Sequence, residues 1–567
     1  MPRLIALTLV ACVWLCWLAA AAPRVELPQA PVEVPRPPRA PFSPPGPERS
    51  EHDGAVVLLL AERELPLVSG WLCFRGGALE EPADRVGLAS VLSECLREGG
   101  SRVTGGEELD EWLDARAASI EVHAERDSLR IGFNALSGDL ADVLGRIADL
   151  LASPAYPPDA LERARARLES AIARRDDNAA GMADRALMRL AHGPDSPWSR
   201  EASPASARAI TREDLLALHA RTFGRARAVI GLCGDFERGA ALNAVERVLA
   251  ALPAGAAPAP PPAPLFDAPA RSRLWLLDRP GVPQCELRLT APGLSRRDPR
   301  YPAAYLWSHA VGLGMTSRMM ARVRTELGLA YSVGAIFRPE WSVPGRLYAW
   351  CGTRNDAAGR ALVALIEELQ RALTEELPAA ELEAARERLL NAEIFRVDTS
   401  PKVLQRALDL ELAGLPADFH ERVLARVQSL SGAEVRAAVA SLVHPQQLIA
   451  VAVGPQGEIR PALEQVLEVL ELPNDRGARG DAPGAALAER MLAALGGPAA
   501  WSAVREFAGQ ESRMQEGVAM RIVFAVGADG LPVSTAAVRA DGQRVEQRVE
   551  LDGSGTRAGS TGRAELS

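Results

Sequence analysis

Lysine is nearly missing from this chain. Of 64 Lys and Arg residues only Lys402 is a lysine, so arginine carries almost all of the positive charge. With the abundant alanine, this reflects a GC-rich coding sequence and is no functional signal. Histidine and cysteine are scarce too, at seven each in 567 residues. Few soft metal ligands are therefore available. The histidines stand at 52, 123, 192, 219, 309, 420 and 444, and no two lie within a helical turn or short loop of each other. A basic surplus is also lacking. The 73 Asp and Glu leave a formal charge of −9, which argues against general nucleic-acid binding. What is present is ordinary: 48% hydrophobic and 24% charged residues exclude a wholly disordered, collagen-like or polytopic membrane protein. At roughly 150 residues per domain the length predicts about four domains.

The N-terminus reads as a targeting segment. Arg3 precedes an apolar run from Leu4 to Ala22, broken only by Thr8, with small residues at Ala19-Ala20-Ala21. Residues 1–22 are expected to be a signal peptide or an N-terminal anchor. Leu9-Val10-Ala11-Cys12 has the look of a lipobox, but cleavage there would leave a greasy stretch, Val13 to Ala22, on the mature end. Each option exports the rest of the chain, periplasmic or membrane-anchored and facing the periplasm. Beyond Cys12 and Cys16, five cysteines remain: Cys73, Cys95, Cys233, Cys285 and Cys351. Their wide, odd-numbered spacing points to small buried hydrophobes, not a disulfide framework.

Proline marks the linkers. Residues 23–50 hold ten prolines and read as an extended spacer. A Pro/Ala stretch at 253–269 and a Gly/Asp/Pro break at 474–484 divide the remainder into blocks 51–252, 270–473 and 485–567.

The first two blocks repeat one order of elements. In the first, strands are expected at Ala55 to Leu60, Leu67 to Phe74, 119–124, 128–135 and Val229 to Cys233. Helices are expected near Leu88 to Leu96, 106–117, 138–152, 158–176, from Thr211, and 239–251. In the second, strands fall at Leu274 to Leu277, Cys285 to Leu289, Leu347 to Cys351 and Leu448 to Val453. Helices fall over most of 301–326, at 355–375 and 379–395, from Ser431, and at 459–471. The matching closers, Ala228-Val-Ile-Gly-Leu-Cys-Gly234 and Ile449-Ala-Val-Ala-Val-Gly454, suggest an ancient duplication. Each half is expected to lay helices against one sheet, giving an α+β fold. In the last block a helix is expected at 485–497 and another at Trp501 and Val504. Strands follow at Met520 to Ala525, Pro532 to Ala540 and Arg544 to Leu551, with an unstructured tail from Gly553. This block is weakly similar to half-barrel modules of the lipoprotein-sorting type.

Two stretches carry a stronger likeness. Asp84-Arg-Val-Gly-Leu-Ala-Ser-Val-Leu-Ser-Glu-Cys-Leu-Arg-Glu-Gly-Gly100, continued by Glu107-Glu-Leu-Asp-Glu-Trp-Leu-Asp114, resembles the zinc helix of the insulinase-like M16 metallopeptidases. It is closest to their bacterial and processing-peptidase branch. Residues 172–182 resemble the helix that brings the last zinc ligand. Gly314-Met-Thr-Ser-Arg-Met-Met-Ala-Arg-Val-Arg-Thr-Glu-Leu-Gly-Leu-Ala-Tyr-Ser-Val333 resembles the hallmark of the family's second domain. The resemblance covers about 51–473. It implies two homologous M16 (LuxS/metallopeptidase-like) α/β sandwich domains in tandem, followed by a small C-terminal α+β block.

The resemblance also implies a zinc site, and here the chemistry is gone. Family members hold zinc on a helical His-x-x-Glu-His, whose Glu is the general base, and a later Glu completes the ligands. Those helical positions are here Ser90-Val-Leu-Ser-Glu94, with Ser93 in place of the base, and the distal position falls on Ala171. One carboxylate cannot hold catalytic zinc. No cofactor is therefore expected in this chain. His420-Glu421 begins a similar pattern, but Leu424 fills its second ligand position. Gly312-x-Gly314 lacks the further glycine or Gly-Lys-Ser/Thr of a phosphate loop and reads as a turn.

Arg324 and Tyr331 survive. In the resembled family such a pair contacts the substrate backbone across the chamber from the zinc. A guanidinium and a phenol can both donate to a carbonyl becoming an oxyanion. Some family peptidases are heterodimers in which one subunit keeps the zinc motif and the other only this pair. The resemblance therefore implies a non-catalytic subunit that completes the chamber of a zinc-bearing M16 partner, acting on peptides or unfolded proteins. The alternative is a purely structural or binding protein of the same fold with no part in proteolysis.

Overall fold

The structure is a computed structural model. It describes residues 44–472, except 258, 260, 261 and 342, and the backbone of five strands between 507 and 563. The chain divides into two compact units, Met1–Leu472 and Pro473–Ser567.

The first half of the larger unit holds β1 (Glu48–His52), β2 (Ala55–Ala61), β3 (Leu67–Arg75), α1 (Leu88–Gly99), α2 (Gly106–Asp114), β4 (Ser119–Ala124), β5 (Ser128–Leu136), α3 (Leu140–Ala152), α4 (Pro158–Arg174), α5 (Ala179–His192), α6 (Pro204–Ala209), α7 (Arg212–Thr222), β6 (Ala228–Gly234) and α8 (Arg238–Ala251). The second half holds β7 (Arg273–Asp278), β8 (Gln284–Pro292), α9 (Tyr301–Val311), a π-helical turn (Met320–Glu326), β9 (Ala330–Arg338), β10 (Arg346–Arg354), α10 (Ala358–Thr374), α11 (Ala379–Ala392), α12 (Ser400–Ala413), α13 (Phe419–Ser429), α14 (Gly432–Ala440), β11 (Ile449–Gly454), α15 (Gln456–Leu463) and β12 (Val469–Glu471).

Each half builds one six-stranded mixed sheet, ordered β1-β2-β6-β3-β5-β4 and β12-β7-β11-β8-β10-β9; five strands correspond, whereas β1 opens its half antiparallel to β2 and β12 closes its half parallel to β7. The continuous apolar runs of β6 and β11 sit inside their sheets, buried on both faces, as such runs must be. One face of each sheet packs on its own helices and encloses that half's main core. The helix starts follow their capping residues. Thr211 and Asp214 cap α7 reciprocally, and Ser431 and Glu434 do the same for α14.

The other face of each sheet is covered by a helix from the opposite half. Helix α5 lies on β8 and β11, with Met182, Ala183, Ala186 and Leu187 against Leu277, Ile449, Val451 and Val453. Helix α12 lies on β2, β3 and β6, with Val403, Leu404 and Leu408 against Leu58, Leu60, Cys73 and Val229. Gly231 of β6 makes room, since a Cβ there would come within 2.9 Å of the Leu404 side chain. Each exchanged helix is also held by an ion pair to the sheet it covers. Arg288 of β8 reaches Asp184 of α5 at 3.0 Å, and Arg130 of β5 reaches Asp409 of α12 at 3.0 Å. Arg75 of β3 donates to the carbonyls of Glu411 and Leu412 at the α12 C-terminus.

Several expectations are corrected. Residues 459–471 are not one helix: α15 stops at Leu463, and β12 then pairs parallel to β7. Residues 172–182 span the end of α4 and the start of α5, because Asn178 accepts from the amides of Ala180 and Gly181 and opens a new helix. Strands β1 and β9 and helices α12 and α13 were not expected. The five cysteines beyond the leader are free and buried.

The smaller unit is an antiparallel meander of β13 (Phe507–Gln515), β14 (Val518–Val526), β15 (Pro532–Arg539), β16 (Arg544–Leu551) and β17 (Arg557–Arg563). The tail expected to be unstructured thus carries a strand. The helix expected at 485–497, Trp501 and Val504, and the leader 1–22 lie outside the described residues. No helix among the described residues is long and apolar enough to cross a membrane.

Candidate functional site

The zinc-helix positions lie on α1, which packs antiparallel to α4. A Cβ on Gly87, before α1, would meet Leu168 late in α4, while one on Gly99 would meet Pro157 and Ala160 at its start. Ser90, one turn before Glu94, therefore faces the end of α4 where Ala171 stands. Ala171 is exposed. Ser93 is buried and donates to the carbonyl of Ala89 at 2.9 Å, so its hydroxyl is spent within the helix.

A cation does occupy this junction, but it is a guanidinium. Arg167 of α4 donates through Nε to Glu94 Oε2 at 2.6 Å and pairs with Glu98 at 2.8 Å. Glu94 and Glu98 are one turn apart on α1, and Arg167 is one turn before Ala171. This donor set does not fit zinc, because its one carboxylate at the ligand positions is already paired with a fixed positive charge. Among the described residues no group of three His, Cys, Asp or Glu side chains is arranged to hold a metal ion. Arg167 and Glu98 were not singled out in the sequence. Their signal was there, as two acidic residues and a basic one at helical spacing beside the ligand positions.

The rest of α1 is still braced as a working helix would be. The buried carboxylate of Glu81 accepts from the amides of Gly87 at 2.9 Å and Ala89 at 2.7 Å. It satisfies the helix N-terminus from outside. Burial pushes its pKa up against the pull of those amides.

Three of the histidines, His219, His309 and His420, are withdrawn from solvent. His219 joins Tyr156 Oη at 2.8 Å through Nδ1 and the Leu151 carbonyl at 2.8 Å through Nε2, and burial pushes it down to about 4. Burial likewise pushes His309 down to about 4. His420 falls to about 3, with the nearby arginines adding to the effect of burial.

Arg324 and Tyr331 are brought together. The π-helical turn ends at Glu326 with Leu327 as its C-cap, and Gly328 takes φ +61, where a side chain would be strained. The chain then enters β9. The β9–β10 register shifts between Gly352 and Thr353, so Ala330 and Ser332 have partners and Tyr331 is the extra residue of a bulge. Bulges re-aim a side chain in this way. Tyr331 is 78% exposed, and the Arg324 guanidinium carbon lies 4.9 Å from its ring centroid. Arg324 also contacts Met315 Sδ at 3.6 Å and meets no carboxylate among the described residues. The pair presents donors to solvent from a fixed frame, able to receive a peptide carbonyl.

Comparison with known proteins accords with this geometry. Residues 56–193 match the family model for insulinase (peptidase family M16), and residues 209–389 match that for the peptidase M16 inactive domain. The chain is 25% identical over 380 residues to the non-peptidase homolog YmxG of Helicobacter pylori, covering 65% of this chain and 85% of that protein. It is 28% identical over 388 residues to coenzyme PQQ synthesis protein F of Pseudomonas aeruginosa, covering 62% of this chain but 48% of that protein. Among solved structures, a peptidase M16 inactive domain from Pseudomonas fluorescens superposes with a TM-score of 0.66 at 25% identity, covering 72% of this chain and 98% of that one. A Helicobacter pylori protease superposes with a TM-score of 0.63 at 16% identity over 72% of this chain and all of that one, a likeness of fold alone.

Proposed function

The chain belongs to the insulinase-type M16 peptidase family, and from that premise we propose that it is the zinc-less subunit of an exported peptidase pair. It closes a chamber against a zinc-bearing M16 partner and lends that partner Arg324 and Tyr331. The observation that carries this reading is a contrast within one chain. At the ligand positions a guanidinium stands between Glu94 and Glu98. At the substrate-contacting positions the π-helical turn and the β-bulge still hold Arg324 beside an open Tyr331. A bulge that turns a tyrosine to solvent beside a guanidinium is the arrangement a substrate-contacting pair needs. The relative named a non-peptidase homolog supports the loss of chemistry. Export rests on Arg3 and the apolar run Leu4 to Ala22.

In mechanism, the partner's zinc would supply the activated water. This chain would bind the substrate backbone and hold its carbonyl by hydrogen bonds from the Arg324 guanidinium and the Tyr331 hydroxyl, which strengthen as negative charge grows on the oxygen. Loss of such a donor costs about 10²–10³ in turnover. The test is to purify the native complex, identify the partner, and compare wild type with Arg324→Ala/Tyr331→Phe. Turnover is expected to fall at least a hundredfold with assembly intact. Unchanged turnover, or full activity of this chain alone with one zinc bound, refutes the proposal. Unchanged turnover favours the alternative of a structural or binding protein.

A further inference from the structure

From Tyr331, strand β9 runs along the edge of its sheet to Arg338, paired on its other side with β10. Trp350 donates through Nε1 to Ser332 Oγ at 3.1 Å, and its ring lies where a Cβ on Gly334 would fall, within 2.4 Å. Tyr348 stacks on Trp350 with ring centroids 5.6 Å apart. The Arg338 guanidinium carbon lies 3.9 Å above the Tyr348 ring, and that of Arg346 5.7 Å from it. Helix α5 covers the middle of the sheet and buries Tyr348, whose hydroxyl donates to Asp184. It leaves Ser332 and Arg338 exposed.

Arginines gather at the far end of β9. Arg338 and Arg346 are direct cross-strand partners, a like-charge pairing that costs stability unless something neutralises it. Arg126, from the turn between β4 and β5 in the other half, joins them. It pairs with Glu340 at 3.1 Å and lies over Trp198. Glu340 is the one carboxylate acting on Arg346, against the two arginines, and the crowding with burial pushes Arg346 down to about 10. Arg346 Nε is buried with no hydrogen-bond partner among the described residues. Arg338 is exposed with no ion pair among the described residues, and the exposed Asp127 lines the same pocket as Arg126 and Glu340. Nearby Glu125 is engaged by Arg130.

We propose that this cluster is an acidic-residue subsite, which selects extended peptides carrying a carboxylate about seven residues from the bond held at Arg324 and Tyr331. The spacing is that of the strand itself, since Tyr331 to Arg338 spans seven residues, about 23 Å, and an extended peptide rises equally per residue. Between the two ends the half-buried Trp350 ring flanks the strand, while Tyr348 is buried under α5. The inference rests on the reading of Arg324 and Tyr331 given above and adds the substrate class.

Two labelled peptides test it on the full chain. They are identical except for a Glu-Glu or Gln-Gln pair about seven residues from a photoreactive benzoylphenylalanine. Fluorescence anisotropy is expected to show the acidic peptide binding about tenfold more tightly, which is about 1.4 kcal/mol. Arg338→Gln/Arg346→Gln is expected to erase that preference. Glu340→Gln, which removes the competing carboxylate, is expected to widen it and serves if the double variant folds poorly. Cross-links are expected on the segment from Met315 to Tyr331. A preference within twofold, a preference that survives in the double arginine variant, no response to Glu340→Gln, or cross-links elsewhere would each overturn the subsite. The outcome is separable from the parent reading. Loss of turnover in Arg324→Ala/Tyr331→Phe without an acidic preference sinks only the subsite, and the reverse sinks only the parent reading.

Discussion

Consider restoring the ligands by Ser90→His, Glu94→His and Ala171→Glu, with and without Arg167→Ala. Positions 90 and 94 are one turn apart on α1, and 171 faces them from the antiparallel α4, so three donors would converge on one point. The obstacle is Arg167, which now reaches Glu94 and would stand beside the metal. A doubly charged ion about 5 Å from a guanidinium, at an effective dielectric of about 20, is opposed by about 7 kcal/mol. Arg167 is not locked in, since its side chain is 43% exposed. It can turn toward water while Glu98 retains it nearby. The realised penalty should then be about 1–3 kcal/mol, or roughly ten- to a hundredfold in zinc affinity. Competition against a chromophoric chelator at fixed salt, with zinc counted per chain, measures it. The order of affinity expected is the quadruple variant first, the triple variant next, and wild type without measurable uptake. If Arg167→Ala shifts affinity by less than twofold, the guanidinium does not guard the site. If wild type takes up zinc as tightly as the triple variant, residues 90, 94 and 171 do not define it.

Three further outcomes follow from the packing. Asp184→Ala removes one partner of the buried Arg288, which keeps Glu286 at 2.9 Å; the cost should be about 1–2 kcal/mol in urea denaturation, and no change would mean that α5 is held by apolar contacts alone. Gly231→Val forces a side chain under Leu404 and should destabilise by about 1–3 kcal/mol, seen as a lowered Tm, whereas Gly231→Ala should cost less. His219 and His309 are buried neutral, with folded pKa values near 4 against about 6.5 unfolded, so the unfolded chain takes up protons first. Their contribution, on the order of 3 kcal/mol each, is fully present above about pH 6.5 and is lost as pH falls toward 4. Urea midpoints from pH 7 to 4 should fall accordingly, and a flat profile would contradict it.

Much of this fold was legible because the duplicated halves announce themselves locally, through continuous apolar strands and capping pairs such as Thr211 with Asp214. Arg324 and Tyr331 were singled out through the resemblance carried by Gly314 to Val333, although the strand that holds Tyr331 was not expected. What escaped depends on contacts distant in sequence. Val469 to Glu471 resembles a helical continuation until β7 offers it a parallel partner. Helix α12 gives no hint that its apolar stripe belongs to the other half's sheet. The like-charge pairing of Arg338 with Arg346 appears only once the β9–β10 register is fixed. Arg167 was within reach of the sequence, since Glu94, Glu98 and the α4 arginine follow helical spacing. Its pairing with Glu94, 73 residues away, follows only once α4 is known to pack against α1.

The exchange of α5 and α12 bears on how such a chain can change over time. Deleting the first half would strip the cover from Val451 and Val453 and leave α12 with nothing to lie on. The first half is thus a wall of the second half's packing, whatever becomes of its own chemistry. Truncations that keep only the Arg324-bearing half should yield aggregates and no minimal subunit, and inherited drift in either sheet must be answered by the helix that the opposite half contributes.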